Sequence, residues 1–111
     1  MKDKAINILL LEDNPGDARL IREQLTDTGN QFQLQCFDLL SKGLEFLSSE
    51  NVDAVLLDLG LPDSQGLNTI ERVRVKKPSI PIIVLTGLDD ETIAMEAVHR
   101  GAQDYLIKGE Y

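Results

Sequence analysis

AINILLLEDNPGDARL, residues 5–20, decides the fold. Ala5 to Leu11 is nearly continuous in Ile and Leu, the pattern of a strand buried on both faces of a parallel sheet. The run stops abruptly at Glu12 and Asp13. Asn14 followed by Pro15 then reads as an N-cap with proline at the first helical position, and Ala18, Ile21 and Leu25 keep one face of the helix apolar. Gly29 ends it. A buried strand leading straight into an amphipathic helix is the repeating unit of an α/β fold.

The same rhythm runs to the end of the chain. Phe32 to Phe37 reads as a second strand, and Asp38 as the cap of a helix that carries Leu40, Leu44 and Leu47 on one face. Asn51 and Asp53 mark a turn. Ala54 to Leu57 is a third strand closed by Asp58, after which Gly60, Pro62, Asp63 and Gly66 call for a loop. Leu67, Ile70 and Val73 line a third helix. Pro78 and Pro81 bracket the entry to a fourth strand, Ile82 to Leu85, ended by Thr86 and Gly87. Asp89 is placed to cap a fourth helix with Ile93, Ala94, Ala97 and Val98 inward. Gly101 terminates that helix before a short strand at Tyr105 to Ile107, and Lys108 follows at once. Five strands and four helices alternate strictly, with no repeat, low-complexity tract or linker.

Length and charge narrow the function. The 111 residues suit a single domain, and apolar residues make up 42% of them, enough for a core. Nineteen acidic against eleven basic residues give a net charge of −8, which repels phosphate backbones and anionic headgroups and argues against direct nucleic-acid or membrane binding. No apolar run is long enough to span a bilayer, so a soluble cytoplasmic protein is expected. The lone cysteine, Cys36, sits in an alternating strand and reads as a small packed side chain rather than a reactive thiol. His99, beside Arg100 on a helix, reads as a solvated or dipole-facing group without a catalytic part.

Polar residues close the strands where a ligand site belongs. In an open parallel sheet the site lies beyond the carboxyl ends of the strands, and there the sequence puts Glu12 and Asp13, Asp58, Thr86 and Lys108. Taken singly, each has a structural explanation. Carboxylates after strands form turns and caps, a threonine suits a strand end, a terminal lysine is solvated, and Tyr105 suits a core. Asp58 is different, because a carboxylate interrupting an apolar strand carries a desolvation cost. Three carboxylates together repel one another unless a divalent cation neutralises them, and Mg²⁺, a hard ion that takes oxygen ligands, is the natural candidate. A lysine and a hydroxyl beside it complete a phosphoryl-binding pocket.

Four motifs occur in order, each at a strand end: LLLEDN at 9–14, LLDLGLPDSQG at 56–66, IIVLTG at 82–87 and GAQDYLIKG at 101–109. Through them the chain from Ala5 to Lys108 resembles the receiver domain family of two-component response regulators. The resemblance implies a flavodoxin-like, doubly wound α/β fold with a five-stranded parallel sheet in the order 2-1-3-4-5, the first helix on one face and the next three on the other. It implies that Asp58 is a phosphoacceptor that attacks a phosphohistidine, and that Glu12, Asp13 and Asp58 hold Mg²⁺ together with the backbone carbonyl of Gly60. Thr86 and Lys108 then contact phosphoryl oxygens, and Tyr105 is the aromatic that changes rotamer with Thr86. The implied partners are a sensor histidine kinase or phosphotransfer protein docking around Asp17, Arg19, Arg22 and Glu23, an output domain or effector protein, and a second copy of the chain. The only chemistry implied is the domain's own phosphorylation and dephosphorylation.

The sequence departs from the family's commoner pattern at three glycines. Gly109 stands where a proline usually follows the lysine, Gly87 where alanine is commoner, and Gly60 where a bulkier residue is usual, so the phosphoryl group is less covered. Two rival readings are an aspartate-nucleophile phosphatase and a degenerate receiver acting as an interaction module. The first needs a second acid near its nucleophile, whereas Leu59 and Gly60 follow Asp58; the second implies a lost site residue, and none is lost. Receivers carry a fifth helix after the last strand, so a chain ending at Tyr111 is expected to be a single receiver domain truncated at its C-terminus, with apolar surface uncovered on the fourth and fifth strands and beside the first helix.

Overall fold

A computed structural model describes residues 5–29, 31–87 and 90–108. In chain order the elements are β1 (Ile6–Leu11), α1 (Pro15–Thr26), β2 (Phe32–Phe37), α2 (Leu40–Ser49), β3 (Ala54–Asp58), β4 (Gly60–Leu61), β5 (Ser64–Gln65), α3 (Asn68–Lys76), β6 (Ile82–Thr86), α4 (Glu91–His99) and β7 (Asp104–Ile107). Five of the strands form one parallel sheet in the order β2-β1-β3-β6-β7. Counting only these five, this is the 2-1-3-4-5 order expected from the sequence.

The apolar runs are continuous because the sheet is covered on both sides, and alternate residues of each strand feed separate cores. Leu9 and Leu11 of β1, Val55 and Leu57 of β3, and Ile82 and Val84 of β6 pack with Leu40 and Leu47 of α2, Ile70 and Val73 of α3, and Ala97 of α4. Ile8, Leu10, Leu56 and Leu85 point the other way, against Ile21 and the half-buried Ala18 and Leu25 of α1. One helix thus covers one face and three cover the other. On the α1 side, Ile8, Ile21, Leu56, Ile83, Leu85 and Leu106 line an apolar groove of about 270 Å³. On the opposite side, Gly43 lets α2 come close to β1, because any Cβ there would collide with the methyl groups of Leu11.

Several local expectations are corrected. The segment after Asp58 is a two-stranded antiparallel hairpin, β4 with β5, rather than an irregular loop. Leu67 sits at the N-cap of α3 instead of within it, and still packs on the larger core. Asp38 does not cap α2. It lies one residue before the N-cap Leu39, and its Oδ1 takes the Lys42 ammonium at 3.2 Å. The cap comes from the hairpin, where Asp63 accepts the amides of Leu40 at 2.7 Å and Ser41 at 2.9 Å. On α4, Ala94 and Ala97 are buried, but Ile93 and Val98 are 43% and 37% exposed. Each lies one residue, about 100° around the helix, from an alanine that faces the sheet, so both fall on the flanks of a narrow inward stripe. Asp89, expected to cap α4, and Gly109 lie outside the described residues. Gly101 ends α4 as expected: it adopts φ +114°, and the Ala102 amide reaches back to the Ala97 carbonyl at 3.0 Å.

The Asp63 cap sets a testable stability difference. Slight burial opposes it, but the amides of Ser41 and Leu40 hold the Asp63 carboxyl below its ordinary value of 3.8. A carboxyl depressed in the folded state stabilises above its unfolded value, and the contribution is lost as pH falls through the lower folded value. Asp63→Ala should therefore cost about 1 kcal/mol at neutral pH, and Asp63→Asn less. Chemical denaturation should show both differences shrinking below pH 3.8; a difference independent of pH would mean the carboxylate is not the cap.

Candidate functional site

At the carboxyl edge of the sheet the chain leaves β1, β3, β6 and β7 at neighbouring points. Glu12 follows β1 directly, and its amide continues the ladder to the Phe37 carbonyl at 3.1 Å. Asp58 is the last residue of β3 and Thr86 the last of β6. Lys108 follows β7 and is tied to β6 by its amide, which donates to the Thr86 carbonyl at 2.6 Å. Asn14 caps α1 as expected, accepting from Gly16 at 2.9 Å and Asp17 at 3.1 Å. Its own amide donates to Glu12 Oε2 at 3.2 Å, which fixes one oxygen of that carboxylate.

Glu12, Asp13 and Asp58 come together. Each offers a carboxylate oxygen, and these oxygens lie within 4.8 Å of one another. Glu12 is buried, Asp58 half-buried and Asp13 exposed, so the cluster runs from the interior out to solvent. The Gly60 amide donates to Asp58 Oδ1 at 2.9 Å. Lys108 Nζ lies 2.8 Å from Glu12 Oε1, 3.1 Å from Asp58 Oδ2 and 3.1 Å from Asp17 Oδ2. The Glu12 contact is an ion pair without the alignment of a good hydrogen bond, so Oε1 keeps unused acceptor capacity.

Charge distribution follows from burial. Burial, then a hydrogen bond and repulsion from Asp58, push the Glu12 carboxyl up to about 7, against the opposing pull of Lys108 and the Asn14 amide. Burial also opposes ionisation of Asp58, but hydrogen bonds from Glu12, the Gly60 amide and Lys108 outweigh it and hold this carboxyl below its ordinary value. The two carboxyls therefore titrate as a coupled pair in which Glu12 is the harder to ionise and Asp58 the easier. Burial alone would weaken the Lys108 ammonium, yet Glu12, Asp58 and Asp17 keep it protonated well above its ordinary range. A divalent cation at the three carboxylates would supply the positive charge the cluster lacks.

Beside the carboxylates is a pocket of about 330 Å³, whose lining includes Asp58, Gly60, Thr86, Gly87 and Lys108. Thr86 is buried, and its Oγ1 has no hydrogen-bond partner among the described residues. A buried hydroxyl left unpaired costs roughly 1–3 kcal/mol, so its position on the pocket wall suits an oxygen-bearing ligand. A Cβ added at Gly60 would meet Asp58 Oδ1 at 3.7 Å, an ordinary contact, and among the described residues one added at Gly87 would meet only Asp90 Oδ2 at 3.9 Å. Tyr105 lies away from this cluster. It is half-buried, packs against the larger core, and donates its hydroxyl to Glu91 Oε2 of α4 at 3.1 Å.

Two features were not read from the sequence as part of the site. The sequence puts Asp17 only on an outer surface with Arg19, Arg22 and Glu23, yet its carboxylate contacts Lys108. Its spacing held the signal, since Asn14 at the N-cap puts Asp17 at N3, the position that faces back over the chain entering the helix. Tyr105 to Glu91 links two strand-and-helix units, and no local pattern encodes it. Cys36 is packed as expected: its thiol sits 3.8 Å from the Glu12 carbonyl, and burial pushes it above its ordinary value. Arg19 and Glu23 form an exposed pair at 3.1 Å. No described helix is long and apolar enough to cross a membrane.

Comparison with known proteins points one way. The family model for the response regulator receiver domain matches residues 8–110. The cell cycle transcriptional regulator CtrA of Caulobacter vibrioides is 32% identical over 103 residues, 93% of this chain and 44% of CtrA. The chain therefore spans less than half the length of that relative. The receiver domain of NtrX from Brucella abortus superposes with a TM-score of 0.84 at 24% identity, over 94% of this chain and 87% of that one, a likeness of fold. A response regulator from Burkholderia pseudomallei, solved with a phosphorylated aspartic acid, calcium ion and citrate, superposes with a TM-score of 0.79 at 27% identity over 96% of this chain and 61% of that one.

The carboxylate cluster sets a metal test. Mg²⁺ should raise the thermal unfolding midpoint, since an ion bound only by the folded state stabilises it by mass action. Asp13→Asn should weaken that rise. An unchanged Mg²⁺-dependent shift in the variant would remove Asp13 from the ligand set.

Proposed function

The chain belongs to the response regulator receiver family, and from that premise we propose that Asp58 is its phosphoacceptor. The observation that carries this reading is the environment of Asp58: an ionised carboxylate at a strand end, with Lys108 at 3.1 Å and a pocket open above it. An oxygen of Asp58 attacks the phosphorus of a phosphohistidine. The new P–O bond forms as the P–N bond breaks, and the imidazole nitrogen leaves with the bonding pair. Lys108 pairs with one phosphoryl oxygen, and the Thr86 hydroxyl, which has no hydrogen-bond partner among the described residues, donates to another.

Mg²⁺ fits the donor set, and Glu12, Asp13, Asp58 and the Gly60 carbonyl are the groups that would hold it. When bound it offsets the charge of the carboxylates and of the incoming phosphoryl group. The chain's own residues position everything else, so the domain catalyses its own phosphorylation and dephosphorylation and no other reaction. Receivers of this family are for the most part signal transducers rather than enzymes.

The switch runs through Thr86 and Tyr105. As Thr86 Oγ1 turns toward the phosphoryl group it vacates space beside Tyr105, whose hydroxyl now holds Glu91 in the first turn of α4. The partners of this reading are a sensor histidine kinase or phosphotransfer protein at α1, an output domain or effector read out at α4, and a second copy of the chain. Its location is cytoplasmic.

Mass spectrometry after incubation with a small acyl phosphate and Mg²⁺ should show one added phosphoryl group, stable in acid and labile in base. Asp58→Asn should abolish it. Equal labelling of that variant would show that Asp58 is not the acceptor.

A further inference from the structure

We propose that Asp17 is a positioning residue for Lys108, holding its ammonium by charge in the resting domain and releasing it when a phosphoryl group arrives at Asp58. The inference rests on the reading of Asp58 as phosphoacceptor. An ammonium has three donors and no more. Here the ammonium sits among three carboxylates: it donates to Asp58 at 3.1 Å and is paired by charge with Glu12 at 2.8 Å and Asp17 at 3.1 Å. An incoming phosphoryl oxygen that takes a place against this one cation competes with one of these pairings.

Exposure decides which. The Glu12 side chain is 0% exposed and Asp58 14%, whereas Asp17 is 34% exposed. Taking Lys108 from Glu12 would strand a buried acid. Asp58 is the group being modified and stays against the lysine. Asp17, at the surface, can exchange its share of Lys108 for water at little cost. It also adds a negative charge beside a site that must accept an anion. Release of Asp17 frees the first turn of α1 from β7, so occupancy of the site reaches a surface that includes the exposed Arg19 and Glu23.

The sign follows by linkage. If Asp17 and the phosphoryl group compete for Lys108, removing Asp17 tightens the phosphoryl contact by as much as phosphoryl binding weakens the Asp17 contact. Titration with beryllofluoride and Mg²⁺, followed by thermal unfolding midpoints, measures both arms. Asp17→Asn should lower the half-saturating beryllofluoride concentration roughly 2- to 5-fold, the range of a partly exposed ion pair. The same variant should melt lower than the parent without ligand and equal to it at saturating beryllofluoride, a convergence that a purely structural role would not produce. Asp17→Glu, which keeps the charge, should restore the parent half-saturation. Asp27→Asn, an identical charge change at the far end of α1, should leave it unmoved. Unchanged half-saturation in Asp17→Asn, or an equal drop in midpoint with and without ligand, would overturn the proposal. Asp58→Asn separates the two readings: if it still takes up phosphoryl, the acceptor assignment fails, and if it does not while Asp17→Asn is indistinguishable from the parent, only the role of Asp17 fails.

Discussion

A single ammonium group, Lys108 Nζ, holds the carboxyl edge of the sheet together. Within 3.1 Å of it lie carboxylates from the end of β1, the end of β3 and the first turn of α1. Bringing these acids together is costly in a partly buried place, and burial forces Glu12 to keep its proton up to about 7. Lys108 offsets enough of that charge for Asp58 to stay ionised. The lysine is also fixed by the backbone, because its amide donates to the Thr86 carbonyl at 2.6 Å and extends the ladder between β6 and β7. The same short stretch that completes the sheet thus supplies the cation its far end requires.

That economy explains why so much of the architecture was legible. A strand buried on both faces must be apolar throughout, so Ile8 to Leu11 and Val55 to Leu57 announce a parallel sheet without help from alternation. Breaking such a run with Glu12 or Asp58 is expensive, and the positions where the sequence accepts the expense are those of the site. Glu12, Asp13, Asp58 and Lys108 are brought into one cluster, with Thr86 beside them on the pocket wall. Tyr105 reaches α4 instead, through a hydroxyl whose partner in sequence space lies fourteen residues earlier.

What escaped the sequence has a common physical cause. Asp38 had the right residue type and nearly the right place to cap α2, but the cap is set by geometry that only the folded hairpin provides, and Asp63 fills it from a different unit. Asp17 likewise belongs locally to α1, while its carboxylate is directed at a lysine ninety-one positions away. Ile93 and Val98 fit a helical face by count, yet the face that meets the sheet is only as wide as Ala94 and Ala97, because small side chains let the helix sit close. Local patterns determine which segments become strands and helices; contacts between units decide which of two adjacent candidates does a job.

The hairpin shows how closely structure and site are bound together. Gly60 opens β4 and donates its amide to Asp58, while Asp63, at the turn between β4 and β5, caps α2 through the amides of Leu40 and Ser41. α2 in turn packs against β1 at Leu11, the residue before Glu12, where Gly43 leaves room for it. A closed circuit therefore runs from Asp58 through the hairpin and α2 to β1 and back to Glu12 in the same cluster. Each link is either a hydrogen bond at 2.7–2.9 Å or a close apolar contact. Side chains held in such a circuit are constrained together, so the α2 side of the cluster is closed by buried or hydrogen-bonded links. The other sides are closed by partly exposed groups, Asp17 on α1 and the Tyr105 to Glu91 hydrogen bond on α4, and such contacts cost less to open than the links of the circuit.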